Sequence, residues 1–122
     1  RHHNNWPDTE YNRWFVERFF ALSGRYPSYA AEGAYSGILA IATVLRSAGA
    51  NADDEAIRQA LSKLEIKLPE DPPGFASFMN PSNHQLQQVI AIGETVPDLR
   101  YSPARMMLGH WRVYRPSTLP AR

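Results

Sequence analysis

From Ala34 to Leu45 the sequence is apolar at nearly every position, interrupted by Ser36 and Thr43. Ser28 can cap a helix that enters this stretch, and Gly49 can stop it after Ala48. A helix apolar around its whole circumference is expected to be buried on several sides rather than to lie on a surface. That requirement constrains the fold most, because other elements must wrap this helix. At about half a membrane span, the stretch is too short to cross a bilayer.

Two further helices flank it. Tyr11, Trp14, Phe15, Arg18, Phe19 and Leu22 fall on one amphipathic face, in which only Arg18 is charged. Pro7 and Asp8 suit the start of this first helix, Glu10 favours the positive end of its dipole, and Gly24 can end it. Pro27 pushes Tyr26 away from helical angles. Asp53, Asp54 and Glu55 open a third helix, whose buried stripe is Ile57, Ala60, Leu61 and Leu64.

Beyond Leu64 the pattern changes. Pro69, Pro72 and Pro73 make a stiff connector. Phe75–Met79 reads as a short strand, Asn80-Pro81-Ser82-Asn83 as a turn, and Leu86–Ile92 as a second strand, so a hairpin is expected. Val96–Met107 reads mostly as loop, and His110–Tyr114 as a last strand. The division is therefore a helical part over residues 1–68, a connector and hairpin over 69–95, and an arginine-rich tail over 96–122.

Composition excludes little but does exclude something. The formal net charge of +1 gives no global attraction to nucleic acid or acidic lipid, and neither partner is expected. Charge is uneven, with Arg100, Arg105, Arg112, Arg115 and Arg122 against the single acid Asp98 from Val96 onward; a solvated tail is the simpler reading. Without cysteine the chain has neither disulfides nor a thiolate site. Arg1-His2-His3-Asn4-Asn5 is followed by no apolar segment of the signal-peptide kind, and a processed chain would read the same way.

Taken in order, Asn12-Arg13-Trp14-Phe15-Val16, Gly24-Arg25-Tyr26-Pro27, Ala34-Tyr35-Ser36-Gly37, Ala48-Gly49 and Ile57-Arg58-Gln59-Ala60-Leu61 form a recognisable series. Gly74-Phe75, Phe78, Asn83-His84-Gln85 and Ile92-Gly93-Glu94 extend it. This series resembles the C-terminal part of the substrate-binding proteins of ABC importers, in the branched-chain amino acid, amide and urea group, over roughly residues 7 to 95. The resemblance implies an α/β chain: part of a two-lobed type I periplasmic-binding fold, with three helices followed by a β-hairpin and an extended tail. It implies a non-enzymatic protein that captures a small polar solute such as an amino acid, amide or urea outside the cytoplasm. The solute would pass to an ABC permease, with no cofactor. About the last third of the family's fold is covered, so helix faces normally covered by the parallel sheet would be exposed, and the chain alone is expected to self-associate.

The resemblance places the start of the second helix, around Tyr29, Glu32 and Tyr35, towards the ligand cleft. Glu32 is the only acid between Glu17 and Asp53, and a carboxylate there can pair with an ammonium or amide N–H of a solute. The plainer alternative is an exposed first-turn glutamate favoured by the helix dipole. Tyr29 and Tyr35 can stack on a solute or donate to it, or pack in the core. His2, His3, His84 and His110 lack metal-ligand spacing, and for His2 and His3 a flexible terminus is expected. Glu70-Asp71 reads as a solvated loop rather than an acid–base pair. No Gly-x-Ser-x-Gly, P-loop or Gly-x-Gly-x-x-Gly occurs. Two other functions share these features: a cytoplasmic ligand sensor of the same fold, and a small interaction or nucleic-acid-binding domain using the arginine tail, whose affinity would fall steeply with salt.

Overall fold

The helix starts and stops written into the sequence set the first half of the molecule. The computed structural model describes residues 2–116. Helix α1 spans Glu10–Ser23. Thr9 caps it, its hydroxyl accepting from the Asn12 amide at 3.1 Å. Gly24 closes it in the left-handed region (φ 70°), donating to the Phe20 carbonyl at 2.8 Å. Helix α2 spans Tyr29–Ala48, capped by Ser28 and ended by Gly49. Helix α3 spans Asp54–Ser62, with the Asp53 carboxylate accepting from the Ala56 amide at 2.9 Å.

Five strands follow among the described residues. Strands β1 (Glu65–Ile66), β2 (Ser77–Asn80) and β3 (Gln85–Gln87) form an antiparallel sheet in that order. Ile66 pairs with Ser77, and Met79 with Leu86. Strands β4 (Ile90–Pro97) and β5 (Met106–Tyr114) form a separate antiparallel pair. The expected Leu86–Ile92 strand is thus two strands in two sheets, parted at Gln88 and Val89. The last strand begins at Met106, four residues before the expected His110, because it pairs along the whole of β4.

The core lies where α2 and α3 meet the three-stranded sheet. Val44, Leu64, Ile66 and Leu68 are buried there, with Leu39, Ala40, Ile57, Ala60, Leu61, Met79 and Leu86 packed around them. The α3 stripe expected from the sequence faces this core. Helix α2, however, is covered on one side only, since Ile38 is 70% exposed, Ile41 59% and Leu45 46%. Its expected burial on several sides is not met, because no described element packs on that second face.

Two expectations of solvated segments are overturned. Glu70 and Asp71 are buried. The Asp71 carboxylate accepts from the Leu68 amide (2.9 Å), the Ser77 amide (3.0 Å) and the Ser77 hydroxyl (2.8 Å). The prolines of this connector lack N–H groups, so a buried carboxylate supplies the cross-links that a backbone ladder cannot. His2 and His3 are equally ordered. His2 is buried with Nε2 2.9 Å from the Asn12 side-chain oxygen, and His3 lies 4.7 Å from Trp111, centroid to centroid. Trp6 also meets Trp111 at 5.6 Å, and the Asn5 side-chain amide donates to the Leu108 carbonyl at 2.7 Å. The N-terminal segment is therefore held against β5.

The β4–β5 pair carries an irregularity in register between Ile92 and Glu94. Gly93 sits at it, and a Cβ there would lie 2.9 Å from the Leu108 Cβ and 3.0 Å from the Gly109 carbonyl oxygen. Only glycine lets the two backbones approach this closely.

Asp71→Ala is expected to lower unfolding stability by about 2–4 kcal/mol, because it strands buried backbone donors. Chemical denaturation measures this, and Asp71→Asn, which keeps part of the acceptor set, should lose less. Gly93→Ala should cost about 1–3 kcal/mol by forcing the hairpin apart. Its signature would be loss of amide-exchange protection confined at first to β4 and β5.

Candidate functional site

The first turns of α2 carry the three residues singled out in the sequence, and the structure separates them. Tyr29, the first residue of the helix, is 73% exposed. Glu32, one turn on, is only 4% exposed. Its carboxylate accepts from the Ser36 hydroxyl, one further turn along. The alternative of an exposed first-turn glutamate is therefore corrected: Glu32 lies on the inward face of α2. Tyr35 is half-buried, its hydroxyl 2.8 Å from that of Tyr11 and its ring 4.9 Å from Phe15.

Glu32 and Tyr35 thus join a polar cluster inside the molecule. Helix α1 supplies Tyr11, helix α2 supplies Glu32, Tyr35 and Ser36, and the β1–β2 connector supplies Glu70. The Gln88 side-chain amide donates to Oε1 of Glu70. Beside them, His2 and Asn12 pair, and Asn12 donates to the His3 (3.1 Å) and Pro7 (3.2 Å) carbonyls. Helix α1 therefore binds the N-terminal segment through Asn12, which is 1% exposed, with Phe15 packed edge-on against His2 at 5.4 Å, centroid to centroid.

The electrostatics follow from burial. Burial, reinforced by hydrogen bonding and charge from Glu32, pushes the Glu70 carboxyl well above its ordinary range. Burial and the Tyr35 hydroxyl, with Glu70 and Glu32 adding to them, push the Tyr11 phenol up. Burial lowers the His2 imidazole pKa against the opposing pull of Asn12 and Glu32. Among the described residues no group of three or more His, Asp or Glu is arranged to hold a metal ion.

A second feature joins α1 to the connection between β4 and β5. Phe20, Tyr26 and Tyr101 form a chain of rings, with centroids 4.6 Å and then 5.2 Å apart. They line a hollow of about 480 Å³ with Arg25, Pro103 and Met107. The Tyr26 hydroxyl donates to the Arg100 carbonyl at 3.3 Å, and the Arg100 guanidinium is paired with Asp98. Of the five arginines of the C-terminal stretch, Arg100 is thus engaged by Asp98 and Arg115 lies over the Phe75 ring at 5.9 Å, while Arg122 lies outside the described residues.

Sequence reasoning missed Glu70, Gln88, Tyr11 and His2 as members of the buried cluster. The sequence places Tyr11 on a packing face, and its hydroxyl partner, Tyr35, lies on another helix. Glu70 was hidden by its setting, since an acidic pair among prolines is the ordinary mark of a solvated loop. The detectable signal was the dense proline itself, which leaves backbone acceptors and few donors and calls for side-chain cross-links.

Comparison with known proteins sets this geometry in a family. A family model described as periplasmic binding protein matches residues 2–98. Among solved structures, the chain is similar to a solute binding protein of an ABC transporter from Rhodopseudomonas palustris BisB5, determined in complex with 3,4-dihydroxy benzoic acid. The TM-score is 0.77 at 18% sequence identity, over 93% of this chain and 29% of that one. At such identity the likeness speaks for the fold, and this chain spans less than a third of that protein's length. No curated protein matches the chain significantly. The mixed helix-and-strand architecture, the order of motifs and the match across residues 2–98 agree, and the chain belongs to the periplasmic binding protein family.

Proposed function

We propose that this chain is part of the solute-binding component of an ABC importer, working outside the cytoplasm. The observation that carries the proposal is the family match across residues 2–98. It would capture a small polar solute such as an amino acid, amide or urea, and pass it to a membrane permease. The structural relative binds an aromatic acid, 3,4-dihydroxy benzoic acid, which adds such acids to the solutes to be tried. Binding would proceed by hinge-type closure of two lobes, with no covalent chemistry and no cofactor.

On this reading the first turns of α2 face the solute. Tyr29, exposed at the helix start, would touch it directly. Tyr35 would position that turn through its Tyr11 partner, and Glu32 would act through its charge from behind the surface. A ligand sensor of the same fold remains the second reading, since both readings share the lobes and the closure.

The test is native mass spectrometry of the protein as purified, followed by calorimetric titration of amino acids, amides, urea and hydroxybenzoic acids. A retained or titratable small solute is the expected result. No binding from any of these classes would count against solute capture. In a two-lobed protein containing this chain, Glu32→Gln should weaken affinity about three- to tenfold, because it removes a buried charge behind the helix start rather than a direct contact to the solute. Unchanged affinity would remove Glu32 from the solute side.

The exposed apolar face of α2 also bears on assembly. With Ile38, Ile41 and Leu45 open to water, the chain by itself should self-associate with rising concentration. Light scattering coupled to size exclusion measures this, and the double change Ile38→Lys with Ile41→Lys should shift the distribution towards monomer.

A further inference from the structure

Two carboxyl groups, Glu32 on α2 and Glu70 on the β1–β2 connector, lie within hydrogen-bonding reach of one another inside the molecule. They are 4% and 3% exposed. Each accepts one hydrogen bond from a neutral side chain, Glu32 from Ser36 and Glu70 from Gln88. None of the ion pairs among the described residues involves either group. The second oxygen of Glu70, Oε2, is buried and has no donor among the described residues.

Two ionised carboxylates cannot satisfy one another, because both only accept. They would also repel in a site that water does not reach. A single proton removes both costs at once. Carried by Glu70, it lets that carboxyl donate to Glu32, leaves a single charge for Ser36 to help stabilise, and gives the unpartnered Oε2 a proton to hold. The burial of Oε2 argues for a proton rather than a bound cation, which would need a coordination shell.

We infer that Glu32 and Glu70 share one proton in the native protein, and that this acid–carboxylate pair fastens the start of α2 to the β1–β2 connector.

The surroundings leave no other source of neutralisation among the described residues. Helix α1 presents the Tyr11 phenol, which burial keeps neutral. The N-terminal segment presents His2 towards Glu32, and burial favours its neutral form. The connector itself adds Asp71, a further negative group, already occupied by Leu68 and Ser77. Gln88 is neutral.

The pair makes stability depend on pH with a definite sign. The native state keeps the Glu70 proton in a range where the unfolded chain, with an ordinary glutamate near 4.5, has released it. The native state therefore binds more protons there, and stability falls as pH rises through that range. Glu70→Gln copies the protonated acid: its carbonyl can accept from Gln88 and its amide can donate to Glu32.

Thermal unfolding of the wild type and of Glu70→Gln, from about pH 5 to about pH 10, tests this. The wild type should lose melting temperature towards alkaline pH, while Glu70→Gln lacks that loss and equals or exceeds the wild type at the alkaline end. Parallel curves for the two proteins would overturn the proposal. So would a melting temperature that rises with added sodium or calcium in the wild type alone, which would assign a cation to the pair. Carbon-13 NMR of the glutamate carboxyls in the unmutated protein gives a check independent of folding of the variant. One proton should be retained by the pair well above the ordinary glutamate range, and ordinary titration of both groups would overturn the proposal.

Discussion

Asp71 gathers three hydrogen bonds from residues on either side of a proline-rich connector, and the arrangement of the core depends on that closure. Its acceptor contacts with Leu68 and Ser77 set β1 against β2 in the register that pairs Ile66 with Ser77. That register turns Ile66 and Leu68 towards Val44 on α2, with Leu64 beside them. A pairing shifted by one residue would turn the alternate side chains of β1 inward, replacing Ile66 with Glu65. A strand of only two residues has little pairing energy of its own, so the carboxylate does what a longer ladder does elsewhere.

The same connector holds the second polar anchor. Asp71 is satisfied by backbone and hydroxyl donors, whereas neighbouring Glu70 meets another acid. Adjacent carboxyls in one loop thus live under different rules, set by which donors reach them. One fixes the sheet register and the other reaches across to α2. Together they tie the helical half to the strands through polar contacts at the edge of an apolar core. Buried polar groups of this kind specify an arrangement more than they add to stability.

The helices were legible in the sequence because their signals are local. Ser28 caps where expected, the acidic start at Asp53 opens α3 where expected, Gly24 and Gly49 stop where expected, and the Ile57–Leu64 stripe meets the core. The first helix starts at Glu10 behind a Thr9 cap, beyond the Pro7 and Asp8 expected at its start, since the Thr9 hydroxyl reaches the Asn12 amide. Strands were less legible because pairing is not local. Strand β1 has no pattern of its own, and the apolar run from Leu86 hid a change of sheet at Val89. The order of motifs pointed to the family, which the match over residues 2–98 establishes. Of the candidate site, the sequence marked Glu32 by its isolation among uncharged residues but gave no sign of its partner. Glu70 lies 38 positions away, and only the folded chain brings the two together.

The meeting of the N-terminal segment with β5 has an optical consequence. Trp6 and Trp111 lie 5.6 Å apart, centroid to centroid, with their planes inclined at 35°. Indole transitions held at that separation couple, so the pair forms a chiral chromophore that neither residue makes alone. It exists only while the two ends of the described chain are joined. The near-ultraviolet circular dichroism of this protein therefore carries a built-in reporter of end-to-end closure, distinct from the helical signal that follows α1, α2 and α3.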